Sequence, residues 1–243
     1  MFENILDSIS IEGFDVKYFF STIEFLLPAI PITFLITIVS FVCGGALGFL
    51  LALIRIYKVP FLSPLATLYI SFFRGTPLLV QLVMFYYGIP ILLKSLGLNP
   101  DFINSIDAIY YSIVIFSLYA SSYLSEITRG ALLSVDRGQT EAAFSIGMSY
   151  TQALRRIILP QAFMITLPNL LNFFIMQLKN TSLVSVITIQ DLMGVADTQA
   201  ASSSKFLEVY FMAALLYWAI CVVLEFIFSR IEKRLESFRK SHT

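Results

Sequence analysis

Five long apolar runs constrain the fold of this chain more than any other feature of its sequence. A helix needs about 20 mostly apolar residues to cross a bilayer, and five runs with at most one charge come close to or exceed that length: Phe25–Ile54, Gly75–Leu93, Ala108–Ser125, Ile157–Leu178 and Val209–Ser229. Only 13% of the 243 residues are charged, against roughly 25% in soluble domains. We therefore predict an all-α integral membrane protein with five transmembrane helices, and the composition argues against a soluble globular enzyme.

The basic residues predict the orientation of these helices, because Lys and Arg accumulate in cytoplasmic loops. Five spans divide the loops between two membrane faces. One face receives eleven basic residues: Arg55, Lys58, Arg129, Arg137, Arg155, Arg156, Arg230, Lys233, Arg234, Arg239 and Lys240. The other face receives Lys17, Lys94 and Lys205. We predict a multi-pass protein of the cell membrane with its N-terminus outside, its C-terminus in the cytoplasm, and a cytoplasmic loop between the third and fourth spans.

The remaining segments are assigned by their length and polarity. Residues 1–24 are predicted to be external or interfacial, because the apolar stretch Tyr18–Ile23 is too short to cross a membrane. Residues 25–235 form the predicted transmembrane domain, and residues 236–243 a cytoplasmic tail. The apolar segment Val59–Phe73, which contains two prolines, is predicted to lie in the cytoplasmic interface before the second span.

Several kinds of chemistry are absent from the sequence. His242 is the single histidine, which argues against a Ser-His-Asp site and a histidine-rich metal site. No GxxxxGK[ST] motif is present to cradle ATP, and zero net charge offers no argument for a nucleic-acid partner. An ion-coupled secondary transporter stays an alternative, although it would require a midplane carboxylate and inverted repeats, and neither is visible. We expect no catalytic residue, no metal and no bound cofactor in this chain.

The predicted cytoplasmic loop, residues 136–160, carries the most specific motif. Its anchor residues are Glu141, Ala142, Ala143, Gly147, Ile157, Leu159 and Pro160. Gln139–Met148 is rich in helix formers, and its small residues expose little side chain, so that another surface can approach the backbone closely. Pro160 indicates a break at the start of the fourth span. An amphipathic connector with a chance match is the alternative interpretation.

This spacing resembles the EAA loop of ABC-importer permeases, E-A-A-x3-G-x9-I-x-L-P, with all anchor positions filled. Three further stretches resemble the polar amino-acid branch of that family: Phe73–Leu78, which reads FRGTPL; Ser125–Gly130, which reads SEITRG; and Leu178–Leu183, which reads LKNTSL. In the second stretch Ser125 stands where the family usually has Ala. The resemblance extends from about Thr33 to Leu235.

The resemblance implies that the chain is the transmembrane subunit of a type I ABC importer for polar amino acids. Cystine is one of the candidate substrates. It implies short cytoplasmic coupling helices, a second permease subunit that is identical or related, an external solute-binding protein, and cytoplasmic ATPase subunits. ATP and Mg²⁺ would be bound by the ATPase, and the loop 136–160 would transmit its movement to the spans. Which amino acid is carried stays open.

Polar residues within the spans are candidates for the substrate path, because such groups are costly against lipid and usually face a bundle interior or a water-filled cavity. The fourth span supplies Asn169, Asn172, Gln177, Asn180, Thr181 and Ser182, and the second and third spans supply Thr76, Gln81, Tyr119 and Ser122. The alternative is that these groups hold helices or subunits together by hydrogen bonds.

Three charged residues near span ends have two interpretations each. Glu126 and Arg129 are three residues apart on one helical face and are predicted to pair, either as a fixed structural contact or as a gate that rearranges. Arg74 precedes the second span, where it either faces the pore or extends to the interface.

Gly44 and Gly48 predict close helix packing in the first span.

Overall fold

The computed structural model describes residues 13–240, and all regular structure in that range is helical. The α-helices in chain order are α1 Val16–Leu26, α2 Ile30–Ile56, α3 Leu62–Gly75, α4 Leu78–Ser95, α5 Pro100–Asn104, α6 Ala108–Ser134, α7 Arg137–Ser145, α8 Tyr150–Ala153, α9 Leu159–Asn180, α10 Leu192–Ser203 and α11 Phe206–Lys240. Two 3₁₀ segments, Leu27–Ala29 and Thr181–Ile187, and one π-helical turn, Leu154–Ile158, join some of them.

Five helical segments are long and apolar enough to cross a membrane: Val16–Ile56, Leu78–Ser95, Ala108–Ser134, Tyr150–Ile187 and Phe206–Leu235. This confirms the predicted all-α fold with five spans. Most segments extend beyond the apolar runs, because a helix can continue into water, where charged residues carry no penalty. Val16–Leu26 is helical and leads through a 3₁₀ turn into α2. The first twelve residues of the predicted segment 1–24 lie outside the described residues.

The described part of the chain forms two compact units. Of the described residues, the first unit contains 13–39, 79–115 and 176–224. Its apolar core joins α1, α10 and the start of α11 through buried Phe19, Leu26, Leu192, Ala196, Ala200, Val209, Met212 and Ala213. Polar contacts tie the same helices together.

Those polar contacts centre on Asp15, the N-cap of α1. Its Oδ1 accepts the N–H of Tyr18 at 2.8 Å, and its own N–H donates to Glu208 at 2.8 Å. Lys205 donates to the other oxygen of the Asp15 carboxylate and lies 4.5 Å from the ring centroid of Tyr18. The start of α1 is therefore fixed to the start of α11.

Of the described residues, the second unit contains 40–78, 116–175 and 225–240. Within it, the C-terminal part of α2 packs tightly on α6. A Cβ atom added to Gly44 would stand 2.6 Å from Cβ of Ala120, and one added to Gly48 would stand 2.9 Å from the carbonyl oxygen of Ser121. Real Cβ atoms do not approach so closely, so both positions require glycine. The predicted close packing at these two glycines is confirmed.

Helix α3 runs alongside α6 in the second unit. The hydroxyl of Tyr69 donates to the carbonyl oxygen of Leu118 at 2.8 Å and lies 2.7 Å from the hydroxyl of Ser121, near the middle of α6. The segment Val59–Phe73 was predicted to lie in the cytoplasmic interface. Its helical part contacts the middle of α6 and is not one of the five candidate spans, and its position relative to the membrane stays a prediction.

Candidate functional site

The predicted coupling loop folds as two short helices that meet at a tight turn. Asp136 caps α7 by accepting the N–H of Gly138 at 2.6 Å. Ser149 begins α8 with a capping box, in which Ser149 and Gln152 exchange bonds between side chain and backbone. Gly147 joins the two helices with φ of +82°, a left-handed conformation that favours glycine. The loop is thus a defined hairpin rather than an irregular connector.

The candidate coupling residues divide between exposed and internal positions. Glu141, Ala142 and Gly147 are exposed, whereas Ala143 is 1% exposed and packs inside the chain. The small size of Ala143 therefore serves internal packing, and this side chain is not placed at the surface as the sequence analysis expected. Ile157 is half-buried and lies in the π-helical turn. Leu159 and Pro160 are the first two residues of α9.

The ion pair predicted for α6 is confirmed and is larger than expected. Arg129 donates from Nε and Nη2 to Oε2 of Glu126 at 3.1 and 2.9 Å. Arg55, at the end of α2, donates to the other oxygen, Oε1. Two arginines from α2 and α6 therefore share one carboxylate. Charge-assisted bonds of this kind are among the stronger hydrogen bonds in proteins, and this group fixes the ends of the two helices together.

Arg74 lies in the last turn of α3 beside an aromatic group. Its guanidinium carbon is 5.3 Å from the ring centroid of Tyr123, within the range of a cation–π interaction. The Tyr123 ring stacks on Phe173 of α9 at 5.6 Å between centroids and lies 4.8 Å from the ring of Tyr119. The arginine side chain itself is exposed. It is therefore positioned by α6 through Tyr123 while its charge stays accessible.

The other path candidates of the second unit differ in access. Asn169 and Asn172 are exposed on α9, and Thr76 is half-buried at the end of α3. Ser122 is fully buried and donates to the carbonyl oxygen of Tyr119 at 2.7 Å, and Tyr119 is 7% exposed. Of these five residues, the two asparagines and Thr76 present polar groups at a surface.

The path candidates of the first unit are mostly internal. Gln81, Gln177 and Thr181 are fully buried, and Thr181 donates to the carbonyl oxygen of Leu178 at 2.7 Å. Asn180 and Ser182 are half-buried. The bond of Thr181 is made to a carbonyl three residues earlier in the chain and joins no second span, so burial of these groups does not distinguish helix packing from a path that opens by movement.

A buried carboxylate, Asp191, was not selected from the sequence. Its Oδ1 caps α10 by accepting the N–H of Gly194 at 3.0 Å, and its Oδ2 is 3.4 Å from the hydroxyl oxygens of both Thr33 and Tyr217. Burial is the main cause that raises the pKa of Asp191 to about 6. An isolated acid directly before a helical pattern is the signal that marks it as an N-cap.

Nothing in the described part of the chain is arranged to hold a metal. Over residues 13–240, no group of three or more His, Cys, Asp or Glu side chains is close enough to bind an ion. The described residues thus offer the α7–α8 hairpin, an ion pair shared by two arginines, and exposed polar side chains on α9 as candidate functional features.

Comparison with known proteins agrees with this geometry. Residues 44–237 match the family described as "Binding-protein-dependent transport system inner membrane component". The chain is 41% identical over 225 residues to the L-cystine transport system permease protein TcyL of Bacillus subtilis (strain 168), covering 93% of each chain. It is 41% identical over 212 residues to the probable amino-acid ABC transporter permease protein PatM of Vibrio harveyi, covering 87% of this chain and 92% of that protein.

A solved structure shows the same fold. The crystal structure of an amino acid ABC transporter with histidines contains a chain that superposes with a TM-score of 0.77 at 33% identity, covering 90% of this chain and 96% of that one. The family resemblance found in the sequence is confirmed. The chain belongs to the family of multi-pass inner membrane components of binding-protein-dependent transport systems.

Proposed function

We propose that this chain is the permease subunit of an ATP-driven importer for polar amino acids, cystine among the candidate substrates. The observation that carries the proposal is the α7–α8 hairpin, which follows the candidate span Ala108–Ser134, leads into the candidate span Tyr150–Ile187, and presents exposed Glu141 and Ala142. The names of the similar proteins, which refer to cystine and amino-acid transport, support the substrate class. In this account the chain has no enzymatic activity of its own, and ATP and Mg²⁺ bind to a separate ATPase.

The proposal includes four partners and an orientation. A cytoplasmic ATPase binds the hairpin, a second permease subunit completes the pore, an external solute-binding protein delivers the amino acid, and lipid surrounds the spans. The distribution of basic residues supports an external N-terminus and a cytoplasmic C-terminus, with the hairpin in the cytoplasm. Movement of the ATPase subunits would then reach α6 and α9 through the two ends of the hairpin.

The substrate path is proposed to include the exposed asparagines of α9. Asn169 and Asn172 are three residues apart and both exposed, so they lie on one helical face. Arg74, whose charge is accessible beside Tyr123, is proposed to face the same route. Each of these groups offers a hydrogen bond or a charge to the zwitterionic end of an amino acid.

Reconstitution tests the transport function. The chain, its ATPase and its binding protein are placed in liposomes, and uptake of labelled cystine and other polar amino acids is measured. We expect uptake that requires ATP and that persists when proton and sodium gradients are abolished. Uptake driven by an ion gradient without the ATPase would instead identify the chain as a secondary transporter.

A substitution in the same liposomes tests the path. Asn172→Leu should reduce uptake severalfold while the complex assembles normally, and Asn172→Ser should retain more activity because it keeps a hydrogen-bonding group. Loss of assembly with unchanged uptake per assembled complex would show that Asn172 joins subunits instead.

A further inference from the structure

A polar cavity of about 550 Å³ lies at the turn between α2 and α3. Its polar lining consists of Arg55, Lys58, Ser63, Thr67 and Arg129, and the rest of the lining is apolar or proline. The cavity is lined by no residue of the α7–α8 hairpin and by none of the polar residues proposed for the path, although Tyr57, next to Lys58, contacts Tyr150 of α8. It has no role in the transport account above.

The cavity has an excess of positive charge. It is lined by three basic residues and by no acidic one. Glu126, outside the lining, bonds both arginines, and so cancels one of the three charges. The two guanidinium groups carry ten N–H donors between them, of which the bonds to Glu126 occupy three. The cavity therefore offers donors and net positive charge to an anion.

The backbone of the turn places Lys58 at this cavity at a conformational cost. The N–H of Val59 donates to the carbonyl oxygen of Ile54 at 3.1 Å, and that of Lys58 donates to Arg55 at 3.3 Å, the pattern of a helix end that normally uses glycine at the position of Lys58. Lys58 has φ of +49°. Glycine would adopt this left-handed conformation at a lower energetic cost than lysine. The geometry of the turn therefore does not account for a lysine at position 58.

An apolar stripe on α3 begins beside the cavity. Leu62, Leu65, Leu68 and Phe72 are spaced for one helical face, and each is at least 41% exposed. Phe61, which lines the cavity, is 87% exposed. A basic cavity at the end of a span, continuous with an exposed apolar stripe, combines the two surfaces that an amphipathic lipid requires.

We propose that this cavity binds the headgroup phosphate of an anionic phospholipid, with its acyl chains along the α3 stripe. Arg55, Arg129 and Lys58 supply the charge, and Ser63 supplies a hydroxyl group. Because Arg55 and Arg129 also hold Glu126, a bound lipid would stabilise the joined ends of α2 and α6. The proposal goes beyond the transport function and does not depend on which amino acid is carried.

Lipid retention tests the proposal on the purified, assembled transporter. The complex is incubated with equal amounts of phosphatidylglycerol and phosphatidylcholine of the same acyl chains, and bound lipid is counted by native mass spectrometry. We expect preferential retention of phosphatidylglycerol. Lys58→Gly should reduce that preference by about fivefold, because one basic residue near the anionic group is lost.

The choice of Lys58→Gly separates binding from folding. Glycine relieves the left-handed strain at this position, so thermal stability in phosphatidylcholine should be unchanged or raised while the lipid preference falls. Lys233→Ala is the matched control, since it removes an exposed lysine of α11 away from the cavity, and it should leave the preference unchanged. An unchanged preference in Lys58→Gly, or an equal loss in Lys233→Ala, would overturn the proposal.

Inorganic phosphate distinguishes the two sources of the anion. Millimolar phosphate should displace little phosphatidylglycerol, because it lacks the acyl chains that contact the α3 stripe. Leu68→Gln should weaken retention of phosphatidylglycerol, since it places an amide on that stripe. Complete displacement by phosphate, with no effect of Leu68→Gln, would show a site for a soluble anion and contradict lipid binding.

Discussion

Gly147 ends α7 through its backbone conformation. With φ of +82°, it donates its N–H to the carbonyl oxygen of Phe144 at 2.9 Å, and Met148 donates to Ala143 at 3.1 Å. A Cβ atom added to Gly147 would meet nothing within 4 Å. In the sequence, the small size of this residue suggests close approach by a partner. The structure shows a second and sufficient reason for glycine, namely the left-handed turn.

Substituting Gly147 tests that reason. Gly147→Ala should destabilise the turn by about 1–2 kcal/mol, the cost of a left-handed conformation for an ordinary residue. Amide hydrogen exchange at Ile146 and Met148 should then be about tenfold faster. Gly147→Asn should preserve most of the protection, because asparagine tolerates this conformation. Equal protection in the Ala variant would refute the backbone explanation.

At the scale of single residues, local patterns were predictable and distant partners were not. The pair Glu126 and Arg129 follows from helical spacing, but Arg55 joins it from 71 residues away. Asp191 meets the hydroxyl of Thr33 across 158 residues. A sequence without an alignment contains no signal for such pairings, because they depend on how the helices pack.

At the scale of helices, the contact between α2 and α6 provides a controlled test. Gly44→Ala would place Cβ 2.6 Å from Cβ of Ala120, whereas Gly45→Ala would place it 3.8 Å from Leu124. Overpacking of this kind costs roughly 1–3 kcal/mol. We expect Gly44→Ala to lower the thermal unfolding midpoint in detergent, and Gly45→Ala to leave it equal or slightly higher. Similar effects at both positions would contradict this packing.

The contribution of Asp191, the N-cap of α10, to the free energy of unfolding depends on pH. Burial raises its pKa from 3.8 to about 6, so the folded chain binds more protons than the unfolded chain between these values. Its contribution to the free energy of unfolding should therefore fall as pH rises from about 4 to about 6, and then level off.

The variant Asp191→Asn isolates this contribution. Asparagine retains the ability to cap α10 but does not titrate, so the difference in unfolding midpoint between the two proteins should change between about pH 4 and pH 6 and stay constant above pH 6. Thermal unfolding over this range measures the difference. Parallel pH profiles would show that Asp191 does not have the raised pKa.

At the scale of the whole molecule, hydropathy located all five spans but not the helix ends. Apolar run Ala108–Ser125 became helix Ala108–Ser134, and Val209–Ser229 became Phe206–Lys240. Hydropathy reports where charge is absent, whereas helix ends depend on caps and turns.

The orientation of the spans is tested by labelling in intact cells. Cys43 is exposed, so Cys43→Ala provides the background. Asn99→Cys, placed in a predicted external loop, should react with an impermeant thiol reagent, and Gln139→Cys, placed on α7, should react only after the cells are opened. Both positions are exposed. The reverse pattern would invert the topology and remove the hairpin from the cytoplasm.

The central claim, that α7 couples this chain to a separate ATPase, is tested most directly at Ala142. This side chain is small and exposed, so Ala142→Arg should fold and insert normally while obstructing a partner at close range; Ala142→Ser is the control. In liposomes with the ATPase and the binding protein, substrate-stimulated ATP hydrolysis and uptake are measured together. The account predicts that both are lost in Ala142→Arg and largely kept in Ala142→Ser. Normal stimulated hydrolysis and uptake in Ala142→Arg would contradict it.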